Sequence, residues 1–374
     1  MEVDVAIIGA GPAGSTLAAL LAQRGARVAL YDREEFPRDK LCGEFLSYDA
    51  TPILQQLNAL ELIDAANVPQ LTHCRIIGRT RTYEFALPLP ARGVSRLLLD
   101  ATLLDIAQRN GATFNVHTVA SLNELNAKII VGAWGRWGRF DLDLHRSFIK
   151  TPNRNFGFKR HYANRSPANR QPPTANSIDL YSFAHGYLGV NPIERGQTNI
   201  CGLVHASRLT GHKGRWDAFV ETIRAEEPQL DALYSSYEPA QDHFLASEPV
   251  IFRARSAVEG GVFMIGDASG VIDPLTGNGM AMAIQSALLA APLLLRLLES
   301  PTQRNAIEHE YRRVHHAFFA KRIAWSRFSA KLLSRPRLID AALATVRSPK
   351  IGELFLRRTR ASVEKVEQLL AAWK

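Results

Sequence analysis

A glycine-rich turn near the N-terminus carries residue types that could bind phosphate. The sequence Gly-Ala-Gly-Pro-Ala-Gly occupies residues 9–14, after a short apolar run and before a run of small residues. Gly9 permits a tight turn, Gly11 lets the backbone approach a pyrophosphate, and Gly14 lets the next helix pack closely on a strand. The N-terminus of that helix then faces the phosphate charge. The pattern predicts a strand, a phosphate-binding turn and a helix.

An acidic residue follows this unit at the spacing that a dinucleotide requires. Asp32 ends a second apolar run, Val28–Tyr31, and lies 18 residues beyond Gly14. A carboxylate at this point is placed to accept a hydrogen bond from the adenosine ribose. Strand, turn, helix, strand and acid occur in the order that indicates a Rossmann-like fold at the N-terminus.

A second glycine turn lies about 250 residues further along the chain. An apolar run at 262–265 leads into Gly266 and Asp267, and a Gly-Asn-Gly sequence at 277–279 opens a long apolar segment. A cofactor that reaches both turns must extend beyond its ADP half. Asp267 could bind a hydroxyl of a ribityl chain, and the later helix N-terminus would favour negative charge on a reduced flavin ring. The two turns together predict FAD.

The combined motifs resemble the FAD-binding superfamily of para-hydroxybenzoate hydroxylase, which also contains geranylgeranyl reductases and flavin-dependent halogenases. The segment 94–100 resembles the R-x-x-x-D helix of that family, and the resemblance implies that Arg96 reaches the cofactor. The segment 129–136 resembles a third fingerprint of the family, with Trp134 in place of its usual Asp. The implied fold is α/β: a Rossmann-like FAD-binding lobe, an inserted, mostly antiparallel β substrate lobe and a helical C-terminus.

The loop at 33–47 follows the ribose acid and, in the family, runs along the FAD. Arg38 and Lys40 could neutralise the pyrophosphate. Cys42 and Gly43 open a Cys-Gly-Glu sequence that resembles geranylgeranyl reductases, in which the cysteine lies beside the flavin. The thiol could donate a proton or act only as a small buried filler.

The predicted site residues form two sets. The predicted cofactor-binding residues are Gly9, Gly11, Pro12, Ala13, Gly14, Asp32, Arg33, Arg38, Lys40, Cys42, Gly43, Arg96, Ala133, Gly135, Gly266, Asp267, Pro274, Gly277, Asn278, Gly279 and Met280. The catalytic candidates are Cys42, His185 and Pro274, of which His185 either lines the flavin face or is a structural histidine. We expect no metal site, because the histidines and cysteines lack ligand spacing.

The chain is long enough for two intertwined lobes. The motifs predict a discontinuous FAD-binding domain at 1–67, 93–150 and 251–300, a substrate domain at 68–92 and 151–250, and a basic helical region at 301–374. The three cysteines lack CxxC spacing, and the sequence starts directly with an apolar strand, so we expect a cytoplasmic protein without a signal peptide.

The positive charge of the chain is concentrated at its C-terminal end. The net charge is +9, and residues 301–374 alone hold 16 Lys or Arg against 6 Asp or Glu, a difference of +10. Three interpretations stay open: a solvated basic face, a docking site for an acidic carrier protein, or peripheral association with an anionic membrane. Nucleic acid is not expected, because the sequence holds no binding motif for it.

These features favour an FAD-dependent oxidoreductase that uses NADH or NADPH as a transient reductant. The main hypothesis is a monooxygenase that hydroxylates or epoxidises a hydrophobic, aromatic or polyketide-like molecule. The alternative is an alkene reductase of the geranylgeranyl type, favoured by the Cys-Gly-Glu sequence. A halogenase is a weaker hypothesis, since the Trp-x-Trp-x-Ile-Pro pattern of that family is absent. A flavin-binding module without catalysis is weaker too, because the segment 273–279 is retained.

Overall fold

The computed structural model describes residues 3–165, 175–212, 214–345, 348 and 350–373. The strands are β1 (Val3–Ile8), β2 (Val28–Asp32), β3 (Phe45–Leu46), β4 (Gln70–Ile77), β5 (Thr82–Gly93), β6 (Thr113–Val116), β7 (Ala127–Gly132), β8 (Asn155–Asn164), β9 (Ser177–Phe183), β10 (Gly186–Pro192), β11 (Gln197–His205), β12 (Tyr237–Pro239), β13 (Leu245–Ala246), β14 (Val258–Glu259) and β15 (Val262–Met264).

The helices are α1 (Pro12–Gln23), α2 (Thr51–Gln56), α3 (Ala59–Asp64), α4 (Arg96–Arg109), α5 (Arg139–Asp143), α6 (Trp216–Glu226), α7 (Pro228–Ser235), α8 (Gly279–Glu299), α9 (Arg304–Leu333), α10 (Pro336–Thr345), α11 (Lys350–Thr359) and α12 (Val363–Trp373). The helices α1 to α7 lie between strands along the chain, and from α8 onward the described chain contains no further strand.

The first sheet has the order β14-β15-β7-β1-β2-β6, and its strands are parallel except for β14. Strand β1 has a continuous run of buried apolar residues, as expected for a parallel strand covered on both faces. Helix α1 packs against this sheet and against α4 and α8. It begins at Pro12, three residues before the run of small residues that starts at Ser15. Proline fits the first helical turn, because backbone N–H groups there make no hydrogen bond within the helix.

The second sheet is mostly antiparallel, as predicted. Its order is β12-β8-β11-β10-β9-β4-β5-β3, with β13 also paired to β8 and with β4 parallel to β9. The short strand β3 joins this sheet, although it lies within the segment 1–67 that the sequence assigns to the FAD-binding domain. The α/β fold with a Rossmann-like lobe, an antiparallel lobe and a helical C-terminus is confirmed.

Helix α8 is the apolar segment that opens at the second glycine turn. Within the described residues, it alone is long and apolar enough to cross a membrane by length and composition. However, 72% of its most apolar window is buried against other elements, among them α1 and α9. Helix α8 therefore belongs to the core.

The C-terminal region holds the second glycine segment through side chains of α9. The hydroxyl of Tyr311 donates to the Met264 carbonyl at 2.8 Å, and the backbone N–H of Asp273 donates to Ser326 at 3.1 Å. The inner face of the basic region is thus structural, and only its outer face is available to solvent.

Arg146 connects the segment after α5 to the second glycine turn. Its buried guanidinium donates to the Asp141 carboxylate and the Ala268 carbonyl, both at 2.8 Å, and to Glu259 at 2.6 Å. Asp141 also accepts from the Gly138 backbone at the start of α5. The loop that carries Asp267 is therefore attached to α5 by one buried cation.

We predict that Arg146→Ala lowers the free energy of unfolding by about 3–5 kcal/mol, because it leaves the buried Asp141 carboxylate without its cation. Chemical denaturation followed by circular dichroism measures this change. Arg139→Ala is the matched control, since its side chain is 67% exposed and lies 3.8 Å from Asp143. The control should cost less than about 1 kcal/mol. Equal losses in both variants would contradict this account of Arg146.

Candidate functional site

The two glycine turns meet at the carboxyl ends of neighbouring parallel strands. Strand β7 lies between β1 and β15 and is parallel to both, so the three strands end at the same edge of the sheet. A Cβ atom on Gly266 would lie 2.9 Å from the Cβ of Ala13, and a Cβ on Gly14 would lie 1.9 Å from the Gly9 carbonyl oxygen. The crevice at this edge is where open α/β sheets bind ligands.

Gly11 lies at an open point of this crevice. A Cβ there would meet a single atom within 4 Å, the Arg96 Nη2 at 3.6 Å, so a phosphate group would find both space and a cation. Arg96 forms a two-point ion pair with Asp100. Burial acts to lower the pKa of Arg96, but the Asp100 carboxylate outweighs it and the pKa is raised. Arg96 is thus a permanent cation beside the turn.

Arg38 and Lys40, which we expect to neutralise a pyrophosphate, form ion pairs with acidic side chains of the protein. Arg38 donates to Asp32 and to Asp100, both at 3.0 Å, and Lys40 donates to Glu34 at 2.6 Å. Acids of the chain already pair with both cations, and a contact of either one with a pyrophosphate stays a prediction. The same ion pairs fix Asp32, whose carboxylate also accepts from the Ala10 N–H at 2.9 Å.

The side chains of Arg33 and Trp134 contact residues outside the two glycine turns. The side chain of Arg33 is mostly exposed and pairs with Glu34 alone within the described residues. The Trp134 indole packs beside Phe140, with ring centroids 5.2 Å apart, so it fills a hydrophobic cluster where the family has an Asp. The flanking Ala133 carbonyl lies against Gly9, and a Cβ on Gly135 would meet no atom within 4 Å.

Asp267 offers a free acceptor at the second turn. Its half-buried carboxylate has no hydrogen-bond donor among the residues that the structure describes. Burial raises the pKa of Asp267 above its ordinary value, although the charges of Arg136, Arg255 and Arg96 oppose the shift. An acceptor of this kind fits a ribityl hydroxyl. With the open turn at Gly11, it makes the crevice suitable for FAD.

The start of α8 completes the expected flavin position. A Cβ on Gly279 would meet no atom within 4 Å, whereas one on Gly277 would lie 2.7 Å from the Phe45 ring. The side chain of Asn278 is buried: its amide donates to Asp49 at 3.2 Å and its oxygen accepts from Arg322 at 2.6 Å. Backbone groups at this helix start, and not the Asn278 side chain, are therefore the ones available to a flavin. Met280 is buried in the core.

A mostly apolar cavity, partly open to solvent, lies beside the loop at 274–277. One wall comes from the second sheet, another from the loop with Gly43, and a third from the C-terminal region. The lining residues are Gly43, Phe45, Cys74, Leu87, Ile178, Leu180, Tyr187, Gly189, Cys201, Gly202, Pro274, Leu275, Thr276, Gly277, Phe355, Leu356 and Arg360. Sequence reasoning missed the wall from α11, whose residues lie about 80 residues beyond the flavin segment.

The polar groups of the cavity are fixed in place. The Tyr187 hydroxyl donates to the Asp273 carboxylate and accepts from the Leu275 N–H at 3.0 Å. Burial raises the pKa of Asp273 to about 6. Arg360 is buried and donates to Ser47 at 2.9 Å and to the Thr276 carbonyl at 2.8 Å. Among the described residues, no carboxylate lies within 4.0 Å of its guanidinium.

The predicted catalytic residues fall in different places. Pro274 lines the cavity. Cys42 is half-buried beside it, and burial raises the pKa of its thiol, so the thiol is neutral and a weak proton donor at neutral pH. His185 lies in the exposed turn between β9 and β10 and its N–H donates to the Ser334 carbonyl at 3.0 Å. His185 is not among the residues that line this cavity, and its expected place at the flavin face stays a prediction.

A buried charge cluster supports the loop that carries Gly43. Glu44 accepts from Lys159 and from His161, both at 2.6 Å, and Lys159 also donates to Asp39 at 2.5 Å. The ligand-type atoms of Asp39, Glu44 and His161 lie within 4.8 Å of one another. The ammonium of Lys159 already satisfies two of these groups. Lys159 and His161 are two residues apart on β8 and therefore lie on the same face of the strand. This spacing is visible in the sequence, but it does not predict their contact with Glu44.

Comparisons with known proteins find a matching family model, similar sequences and similar folds. The family model described as "FAD binding domain" matches residues 2–118. A menaquinone reductase from Mycolicibacterium smegmatis is 27% identical over 78% of this chain and 76% of its own length. A mouse squalene monooxygenase is 24% identical over 78% of this chain and 55% of its own length. The solved structure of a flavin-dependent brominase superposes with a TM-score of 0.73 at 18% identity, covering 100% of this chain and 99% of the brominase.

We predict that Asp267→Ala weakens FAD binding by roughly 10- to 100-fold, the loss expected for one hydrogen bond to a charged acceptor. Titration of the flavin-free chain with FAD, followed by quenching of flavin fluorescence, measures this change. Asp143→Ala is the control, because Asp143 is exposed on α5. An unchanged FAD affinity in Asp267→Ala would remove Asp267 from the cofactor site.

A pH-dependent stability should arise from Asp273. Its pKa of about 6 in the folded chain exceeds the ordinary value of 3.8, so the folded state binds more protons between these values. The contribution of Asp273 to stability is present below pH 3.8 and is lost as the pH rises through 6.

Asp273→Asn keeps the acceptor for Tyr187 and removes this titration. Relative to the unsubstituted chain, the variant should gain about 2–3 kcal/mol of unfolding free energy between about pH 4 and pH 7. Urea denaturation at several pH values provides the measurement, with the exposed Asp105→Asn as a control. A stability difference that is constant with pH would show that Asp273 does not titrate in this range.

Proposed function

We propose that this chain, an FAD-dependent oxidoreductase, is a monooxygenase that inserts oxygen into a hydrophobic small molecule. It belongs to the superfamily of FAD-dependent flavoproteins that includes para-hydroxybenzoate hydroxylase and the geranylgeranyl reductases. The observation that carries the proposal is the mostly apolar cavity beside the loop at 274–277. Apolar walls next to the expected flavin position would limit the access of water to the reacting centre.

The cofactor would supply the chemistry, and the protein would bind and position the cofactor and the substrate. FAD, when bound, would supply the redox chemistry, since it can accept a hydride from NADH or NADPH and react with oxygen. The protein would hold its pyrophosphate at Gly11 and its ribityl chain at Asp267, and the start of α8 would face the ring. The cavity walls would then hold a substrate against that ring.

The cavity also favours a certain kind of substrate. Its side chains are mostly apolar, and they favour a hydrophobic body. The Arg360 guanidinium, with five N–H donors of which three have protein acceptors, could bind a carbonyl, phenolate or carboxylate oxygen. The Tyr187 hydroxyl, fixed by Asp273, is a second polar contact. A hydrophobic molecule with one oxygen-bearing end fits these groups.

NADH or NADPH would act as a transient reductant in this proposal. The sequence contains the GAGPAG turn, which the FAD is expected to use, and no second GxGxxG sequence for a nicotinamide dinucleotide. A reductant that docks only briefly does not need a dinucleotide fold of its own.

A flavin reductase is the second candidate. The Cys42-Gly43-Glu44 sequence and the presence of Gly43 in the cavity wall favour it, as does the similarity to a menaquinone reductase. Fold similarity to a brominase shows the fold alone, and this chain lacks the Trp-x-Trp-x-Ile-Pro sequence of flavin halogenases.

Oxidation of NADPH by the FAD-loaded chain, with and without oxygen, tests the proposal against its alternatives. A panel of hydrophobic phenols, polyenes and quinones provides the substrates, and mass spectrometry identifies the products. A monooxygenase requires oxygen and adds one oxygen atom to the product. Anaerobic turnover with a hydrogenated product would support the reductase, and a halogenated product in the presence of bromide would support a halogenase; either would contradict the proposal.

We predict that Gly189→Val raises the KM for substrate about tenfold, because the added methyl groups project into the cavity. A Cβ at this position lies no nearer than 3.8 Å to any atom, so the strand itself accepts the substitution. Gly189→Ala is the matched control and should retain a nearly unchanged KM. FAD affinity should stay unchanged in both variants; an unchanged KM in Gly189→Val would place substrate binding elsewhere.

A further inference from the structure

The outer surface of the C-terminal helices exposes an unusual number of large apolar side chains. Among the described residues, eleven such side chains are exposed, and six of them fall within residues 325–354. We name this surface the basic apolar face; its apolar members are Trp325, Phe328, Leu332, Leu338, Ile351 and Leu354. Phe328 is 66% exposed, more than any other of the eleven. Such a concentration on one surface indicates an interaction site.

The apolar members belong to adjoining helices. Trp325 and Phe328 lie one turn apart on α9, with ring centroids 5.9 Å apart. The Arg358 guanidinium of α11 lies over the Trp325 ring, 5.3 Å from its centroid. Leu354 precedes Arg358 by one helical turn, so the exposed faces of α9 and α11 form one continuous surface.

Basic residues surround these apolar side chains. Residues 321–360 contain eleven Lys or Arg and two Asp or Glu. The exposed basic residues described in this segment are Lys321, Arg327, Lys331, Arg335, Arg337, Lys350, Arg357 and Arg358. The surface is therefore strongly positive as well as apolar, and its partner should carry negative charge above an apolar interior.

Helix α11 connects this surface to the cavity. Its outer side carries Ile351, Leu354 and Arg358, whereas its inner side places Phe355 and Leu356 in the cavity wall. The Gly352 N–H donates to the Tyr83 hydroxyl of β5 at 3.1 Å, which holds the helix against the second sheet. One thickness of helix thus separates the basic apolar face from the cavity.

We propose that the basic apolar face binds the surface of a lipid bilayer that contains anionic lipids. Aromatic and aliphatic side chains would enter the boundary between headgroups and acyl chains, and the surrounding Lys and Arg would contact the headgroups. An acidic protein would match the charge, but the six apolar side chains of three helices favour a partner with an apolar layer beneath its charge. The bilayer would deliver a lipophilic substrate past α11 to the cavity; this delivery step rests on the proposed function, and the docking does not.

Flotation of the full chain, loaded with FAD, tests the docking. Vesicles of phosphatidylcholine alone are compared with vesicles of equal parts phosphatidylcholine and phosphatidylglycerol. The chain should float with the anionic vesicles and stay in the soluble fraction with the neutral ones. The double variants Phe328→Ser with Leu354→Ser, and Arg357→Gln with Arg358→Gln, should each lower the bound-to-free ratio roughly tenfold or more.

The double variant Leu62→Ser with Leu142→Ser is the matched control, because both leucines are exposed elsewhere, at 42% and 52%. It should float like the unsubstituted chain. The proposal is overturned if the unsubstituted chain does not float with anionic vesicles, if the control loses as much binding as the docking variants, or if the chain binds a soluble acidic carrier protein and no vesicle.

Oxidation of NADPH without vesicles separates this proposal from the proposed function. The docking variants should bind FAD and oxidise NADPH as the unsubstituted chain does, because their changes lie outside the cavity and the FAD crevice. Flotation without oxygen-dependent turnover would contradict the proposed monooxygenase activity and support the membrane docking. Oxygen-dependent turnover without flotation would support the activity and contradict the docking.

Discussion

The close approach of the two glycine turns is the constraint on which the rest of this structure depends. Ala13 and Gly266 are so close that a Cβ on the glycine would lie 2.9 Å from that of Ala13. The order β15-β7-β1 brings the turns together, since the three parallel strands end at one edge of the sheet. One extended cofactor can therefore contact both turns, and each part of the chain that holds the second turn also shapes the cofactor site.

The C-terminal region contributes to this arrangement from the other side. Tyr311 and Ser326 of α9 hydrogen bond to the backbone at Met264 and Asp273, and Arg360 bonds to the carbonyl of Thr276. The same region closes the cavity through α11. A segment that the sequence marks mainly by its charge is thus part of the site on its inner face and a candidate membrane surface on its outer face.

Local patterns in the sequence predicted the elements around the cofactor well. Strand β1, the GAGPAG turn and helix α8 each have a signal within a few residues, because glycine spacing and apolar runs depend on local geometry. The parallel and antiparallel lobes followed from the same signals together with the family resemblance.

Interactions between distant segments could not be predicted in this way. The pairing of Glu44 with Lys159 spans 115 residues, and the cavity wall from α11 depends on how a terminal helix packs. Arg38 is a cation beside a predicted phosphate site, and only the structure places it between Asp32 and Asp100. The turn between β9 and β10 leaves His185 exposed, whereas the residues of both strands are mostly buried.

A crystal structure of the chain grown with FAD is the most direct test of the central claim. We expect one FAD molecule, with its pyrophosphate at Gly11 and a ribityl hydroxyl within hydrogen-bond distance of the Asp267 carboxylate. A flavin ring remote from Asp267, or a nucleotide bound at Gly11 whose flavin half leaves the crevice, would contradict it.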